Sequence, residues 1–214
     1  MKISVLGTGM VGKAIAVKLA TLGHQVTIAG RGAESGELNV WRTPLGISYA
    51  SYSEARDAPI IFVALNGAVV VDVLRALGDP SLAGKLVIDV SNPLDLSQGG
   101  VPTLLAGLSN TTSLGEEIQR LLPQARVVKT LNTMNHLVMV DPGRVPGPHD
   151  VFLCGNDAKA KAEVRDLLAE FGWHSPIDLG PIEAARGMEG MMPFWLRAWA
   201  ALGTADFNYH LARA

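Results

Sequence analysis

Three glycines at fixed spacing stand near the start of the chain, in Gly7-Thr8-Gly9-Met10-Val11-Gly12. In such a G-x-G-x-x-G the first glycine permits a tight turn and the second lets a pyrophosphate approach the backbone. The third lets a helix pack close to a sheet. The unpaired N–H groups and partial positive charge of the helix start would face the phosphates. The chemistry implied is dinucleotide binding, with Gly7, Thr8, Gly9, Met10, Val11 and Gly12 around the phosphates. The end of the next strand, Ala29-Gly30-Arg31, decides which dinucleotide. An NAD site usually has a carboxylate there, on the ribose hydroxyls; here no acid ends the strand, and a guanidinium stands where a 2′-phosphate would sit. Gly30 and Arg31 therefore favour NADP, while Glu34 is the side chain that could turn in and hold a ribose instead.

Two further strand ends should wall the same site: Leu65-Asn66-Gly67 and Ser91-Asn92-Pro93. The segment Thr130 to Met134 adds Thr130, Asn132, Thr133 and Met134 near the nicotinamide. Each also has a plainer reading as loop chemistry, since Asn and Pro favour turns. The 5 histidines show no ligand spacing, so no metal site is expected. Cys154 lies in an apolar strand and reads as a core residue. Lys129, at a strand end, reads as structural or cofactor-side. Met188, Met191 and Met192 with Phe194, Trp195 and Trp199 read as core or dimer face, or as a wall for an aromatic ring.

These residues need a scaffold that brings strand ends together. Hydrophobic periodicity predicts strands at 2–6, 25–29, 47–49, 59–65, 86–90 and 125–130, and a helix from Met10 to Leu22 with Val11, Ile15, Leu19 and Leu22 on one face. A second helix is predicted over 68–77. The Gly-, Pro-, Ser- and Asn-rich stretch 92–112 reads as a long loop. Ser113 and Glu116 read as a capping box that opens a helix to Leu122. After a break at 141–148, strands are predicted at 151–154 and 177–179 around a helix that buries Val164, Leu167, Leu168 and Phe171. Pro181 suits a first helical position. Two helical pieces follow, split by Pro193, the second with an apolar stripe of Trp195, Ala198, Trp199 and Leu202.

Strands alternating with helices predict a doubly wound, mostly parallel sheet of the Rossmann type. The expected division is a dinucleotide-binding core over 1–140 and a smaller α/β segment over 150–214 packed on it. The composition agrees: 214 residues, 48% hydrophobic and 18% charged, is globular. With 18 Lys+Arg against 20 Asp+Glu, a nucleic-acid partner is not expected. One cysteine fits a reducing compartment. No leader or membrane-spanning segment is read, so the protein is expected to be cytoplasmic.

The glycine motif, Asp89-Val90-Ser91-Asn92-Pro93, Val127-Val128-Lys129-Thr130-Leu131-Asn132-Thr133, and Asp178-Leu179-Gly180-Pro181 with Ala185-Arg186-Gly187-Met188-Glu189 recur in one order. Together they resemble the F420-dependent NADP oxidoreductases, and the cytoplasmic domain of the STEAP metalloreductases is similar. The resemblance runs from Met1 to about Met192. It implies a small Rossmann protein, usually a homodimer, that binds NADP along the strand ends. A deazaflavin (coenzyme F420) or flavin ring would stack on the nicotinamide and exchange a hydride with it directly. Such a reaction needs proximity and orientation more than an acid or base. Carried over by position, Asn132 and Met134 border the ring pocket, with Arg186 and Glu189 nearby on the C-terminal helix, or merely bracing that helix. Family members that use coenzyme F420 often carry His where this chain has Asn132, and a more basic loop after the arginine. Those departures leave the second redox partner open.

Two other functions compete. A hydroxyacid or imino-acid reductase would need a large helical domain, for which the residues after Asp150 are too few. A non-catalytic NADP(H) sensor would bind the dinucleotide but lack an open pocket beside the nicotinamide. A cleft filled by Trp195 or Trp199 would favour the sensor, and an open one the enzyme.

Overall fold

The computed structural model describes residues 1–32, 36–97 and 99–212. Among the described residues ten strands and ten helices follow one another, mostly in alternation. The first half contains β1 (Lys2–Leu6), α1 (Met10–Thr21), β2 (Gln25–Gly30), α2 (Gly36–Arg42), β3 (Ser48–Ser51), α3 (Tyr52–Ala55), β4 (Ile60–Val63), α4 (Gly67–Leu77), α5 (Asp79–Leu82) and β5 (Leu86–Asp89). Then come β6 (Leu94–Asp95), β7 (Thr103–Leu104), α6 (Leu114–Leu121), β8 (Arg126–Thr130), α7 (His136–Val140), β9 (Phe152–Gly155), α8 (Ala158–Phe171), β10 (Ile177–Asp178), α9 (Ala185–Gly190) and α10 (Met192–Leu202).

Eight strands form one sheet in the order β10-β9-β8-β5-β4-β1-β2-β3. From β3 to β8 all neighbours are parallel. The pleat explains the continuous apolar runs. In β4, Ile60 and Phe62 enter the core under α1, α7 and α8, while Ile61 and Val63 enter the opposite core under α3, α4 and α6. A strand buried on both faces has no polar side to alternate with. This is the doubly wound α/β architecture that the sequence predicts. Among the described residues no helix is long and apolar enough to cross a membrane.

Four details depart from expectation. The stretch 92–112 is not simply a loop: β6 and β7 pair antiparallel, and Leu94 and Leu104 pack under Met192, Trp195 and Leu196 of α10. Two-residue strands leave no periodicity to read. β9 runs antiparallel to β8, with β10 parallel to β9. The connection after β8 holds only the five-residue α7 and a 3₁₀ turn, so the chain returns on the same edge instead of crossing the sheet. Ser113 caps α6 by accepting from the Glu116 N–H, but its own hydroxyl donates to the Glu116 carboxylate, so the reciprocal half of a capping box is missing. The complete box is at Ser51 and Glu54, which opens α3. Finally, Pro181 caps a 3₁₀ turn, and Pro193 lies inside the first turn of α10, so the helix break falls at Met191.

Candidate active site

Because β1, β2, β4, β5 and β8 are parallel, the turns that follow them meet on one edge of the sheet. The glycine turn after β1 shows three distinct steric roles. Gly7 has φ +117°, and a Cβ there would stand 2.3 Å from the Ala64 carbonyl oxygen. A Cβ on Gly12 would stand 1.9 Å from the Gly7 carbonyl oxygen, so α1 and the turn touch backbone to backbone. Around Gly9 nothing lies within 4 Å of a Cβ. The open face thus lies over the middle glycine, where α1 begins without a side-chain cap and without an acid in its first turn. Thr8 and Met10 are exposed there, and Val11 is half-buried.

At the end of β2, Gly30 sits too close to the Tyr49 hydroxyl (2.8 Å from a built Cβ) for a larger residue. Tyr49 donates in turn to the Gly32 carbonyl at 2.7 Å. Arg31 is exposed, with no ion-pair partner among the described residues, and lines a groove of about 530 Å³ with Ser51, Tyr52 and Ser53. Burial raises the Tyr52 hydroxyl pKa, and the nearby Arg31 charge opposes that rise. Glu34 lies outside the described residues.

The turns after β4 and β5 interlock. Asn66 caps α4 by accepting from the Ala68 N–H at 3.0 Å. A Cβ on Gly67, the first residue of α4, would meet the Asn92 carbonyl at 2.1 Å, so the helix start rests on Asn92-Pro93. Asn92 and Asn132 exchange two bonds of 2.8 Å: the Asn92 amide donates to the Asn132 carbonyl, and the Asn132 amide donates to the Asn92 side-chain oxygen. Asn132 is fully buried and its Oδ1 has no partner among the described residues. Leu131 before it is buried with φ +62°, a left-handed turn that β-strand geometry does not supply.

Beside the glycine turn lies a cleft of about 510 Å³. One wall is Leu65, Asn66, Ser91 and Asn92; α7 contributes His136 and Leu137 next to Met134; and α10 supplies Met192, Trp195 and Trp199 opposite. Trp195 stacks on Phe207 with centroids 5.3 Å apart, which fixes its indole in the wall. Among the described residues His136 is the one titratable side chain lining this cleft, and its burial lowers its pKa.

Several candidates stand elsewhere. Thr130 is fully buried and donates to the Phe152 carbonyl at 2.7 Å, so it holds β9 rather than facing the cleft. Arg186 and Glu189 do not line this cleft, nor do they pair with each other. Arg186 donates to the Glu116 carboxylate from Nε at 2.8 Å and Nη2 at 2.5 Å, which holds that carboxyl below its usual range. Glu189 is buried against α6, accepting from the N–H groups of Leu114 (2.8 Å) and Gly115 (3.0 Å). The reason is that α9 packs on α6, across the sheet from α7. Asn132 also sits behind the cleft wall, whereas Met134 lines it.

Lys129 joins these parts. Fully buried, its Nζ donates to Asp89 Oδ2 at 2.6 Å and the Ser91 carbonyl at 2.7 Å, and lies 3.0 Å from Glu189 Oε1. Asp89 also accepts from the N–H and hydroxyl of Ser91. Burial alone would lower the lysine's pKa, but the Asp89 and Glu189 carboxylates outweigh it and hold it well above the ordinary value. Glu189 is raised, by burial first and by Asp89 next. Three sequence segments, one around Asp89, one around Lys129 and one around Glu189, thus meet in one buried charge cluster.

The aromatic wall of α10 and the β6–β7 hairpin under it are the parts of the cleft that sequence reasoning placed least well. The spacing of Met192, Trp195 and Trp199 was the available signal. Cys154 is buried and its thiol is pushed up to about 12 by burial, which leaves it unreactive at neutral pH. No group of His, Cys, Asp or Glu among the described residues is placed to hold a metal ion.

Comparison with known proteins fits this geometry. Residues 2–93 match the family described as NADP oxidoreductase, coenzyme F420-dependent. The F420-dependent NADP reductase of Methanocaldococcus jannaschii is 27% identical over 206 residues, covering 90% of each chain. The metalloreductase STEAP3 of Rattus norvegicus is 28% identical over 199 residues, which is 92% of this chain but 38% of that protein. A crystal structure of a candidate F420-dependent NADP reductase from Arthrobacter sp. FB24 superposes with a TM-score of 0.94 at 49% identity, covering 100% of both chains. The chain belongs to the family of coenzyme F420-dependent NADP oxidoreductases.

Proposed function

We propose that this protein passes a hydride between NADP(H) and a flat ring, that of the deazaflavin coenzyme F420 or of a flavin, held in the cleft beneath α10. The observation that carries the reading is the cleft itself. It is open, mostly apolar, beside the glycine turn, and lined among the described residues by a single titratable side chain. Hydride transfer between two stacked rings needs alignment and exclusion of water more than a proton donor. An open cleft with Trp195 and Trp199 in its walls supports the enzyme over the sensor.

In this reading Gly9 and the first turn of α1 hold the pyrophosphate, and Arg31 with Ser51 holds the 2′-phosphate. Leu65, Asn66, Ser91 and Asn92 wall the nicotinamide end, with Asn132 bracing Asn92 from behind. The nicotinamide supplies or accepts the hydride when bound. Trp195, Trp199 and Met192 cover the acceptor ring and keep water away. Residues 1–140 serve as the dinucleotide core, and 150–214 close the acceptor side. The homodimer implied by the resemblance is supported by the apolar side chains Phe194 and Leu202 that α10 leaves exposed (66% and 60%).

The test is an absorbance assay with NADPH and oxidised coenzyme F420, with FMN, FAD and riboflavin in parallel. Bleaching of coenzyme F420 alone is expected for the specific reductase, and flavin turnover for a metalloreductase-like activity. NADPH binding with neither turnover would overturn the reading in favour of the sensor. Arg31→Ala should weaken NADPH binding by about 10- to 150-fold, the value of one charge-assisted contact, and leave NADH nearly unchanged. Equal losses for both cofactors would remove Arg31 from the 2′-phosphate site.

A further inference from the structure

The two walls of the cleft belong to distant parts of the chain, yet both are tied to one buried carboxylate. We infer that Glu189 is a positioning residue that sets the width of the cleft by joining the acceptor wall to the cofactor wall. The cofactor wall is fixed by Lys129, which holds the Ser91 carbonyl and Asp89. Glu189 reaches that cluster through Lys129 at 3.0 Å and grips the first two N–H groups of α6 with its two oxygens. Three residues later α10 begins, and its Met192, Trp195 and Trp199 form the opposite wall. The grip is close: a Cβ on Gly115 would stand 2.9 Å from the Ala185 Cβ, so α9 lies against α6 only because residue 115 is glycine.

A structural ion cluster is the competing explanation. Two carboxylates and one ammonium, all buried, are a poor means of gaining stability, because desolvation consumes most of the attraction and apolar residues of the same size commonly do as well. Fixed geometry is what such a cluster supplies. It also sorts the two walls. Without the Glu189 charge, Lys129 keeps Asp89 and Ser91, so the cofactor wall stays in place and the acceptor wall is released.

The test compares Glu189→Gln, Gly115→Ala and Arg186→Gln in the full chain. Gly115→Ala keeps every charge but forces α9 off α6, and it guards against a Glu189→Gln that fails to fold. Arg186→Gln is the control, since it removes an α9–α6 contact outside the cluster. Nitroxides at Met10→Cys and Leu202→Cys, both exposed positions, report the wall-to-wall distance by pulsed electron resonance without any ligand, while buried Cys154 stays unlabelled. Glu189→Gln and Gly115→Ala should shift or broaden the distance distribution, and Arg186→Gln should not.

Kinetics give a second readout, resting on the proposed function. For both cluster variants kcat with coenzyme F420 or FMN should fall about tenfold or more, as misplacement by an ångström does, while NADP⁺ affinity changes by less than about threefold. A stabilising osmolyte should not restore the rate. Unchanged distances in both cluster variants, equal effects in the Arg186→Gln control, or parallel losses of cofactor and acceptor binding would each overturn the inference. Absence of turnover in the wild type would instead reject the proposed reaction, and the distance measurement would still decide the role of Glu189.

Discussion

Lys129→Met is expected to destabilise the protein by about 3–5 kcal/mol, the cost of leaving buried charge without its partner. Methionine fills nearly the same volume, so packing is preserved. What is lost is the one cation between Asp89 and Glu189, and the Ser91 carbonyl loses its donor. Chemical denaturation reads the loss directly. For a domain of this size the corresponding fall in Tm is on the order of 10 °C. The pH dependence gives the mechanism. Burial already raises the Glu189 pKa, and with no cation to oppose it the folded state binds a proton there more readily than the unfolded one. The variant should therefore recover stability relative to wild type as pH falls from neutrality toward about 5. A loss below about 1 kcal/mol, or one that grows on acidification, would mean that the cluster is not the dry charge centre described above.

The second large effect separates binding from folding. Gly9→Ala adds a methyl group into open space, on a residue with φ −73°, which alanine adopts freely. The Tm should stay within about 2 °C of wild type, the scale of a surface change. In the proposed reading that methyl nevertheless stands where the pyrophosphate meets the backbone. NADPH affinity should fall about 10- to 100-fold, the range of an overpacked contact. Gly12→Ala is the contrast. Its Cβ would lie 1.9 Å from the Gly7 carbonyl oxygen, so α1 must move off the sheet, and stability and binding should fall together. Calorimetric Tm and an NADPH titration on the two variants check the difference. Parallel behaviour would mean that the open space over Gly9 is not where the dinucleotide lies.

Much of this arrangement can be read from the chain. The glycine spacing predicts the turn after β1 because each glycine answers a separate steric demand, and those demands are local. The strand runs at 60–63 and 86–89 are legible because burial on both faces leaves them apolar, except for Asp89 at the end of the second, which Lys129 pairs. The direction of β9 is not legible, since no residue within a strand states whether its neighbour runs parallel. The β6–β7 hairpin escapes for lack of length. Glu189 and Arg186 illustrate the deeper limit. Their sequence context carries them to the right neighbourhood, but which side of α9 meets α6 depends on Gly115 and Ala185, residues without chemistry of their own. Thr130 fails for the reason of parity: the pleat directs its hydroxyl to the Phe152 carbonyl rather than to the cleft.

The charge cluster also has a consequence in time. Glu189 contacts Leu114 across 75 positions, and Lys129 contacts Asp89 across 40. A growing chain completes the sheet from β1 to β8 well before Glu189, which holds the first N–H groups of α6, has left the ribosome. Until then the first N–H groups of α6 lack their carboxylate, and Lys129 lacks its third partner. Closing so long a loop is slow and comes late. The nascent protein is therefore expected to complete the sheet edge around Asp89 and Lys129 first and to fix the α10 wall last, an order that hydrogen exchange in the first turn of α6 would time during refolding.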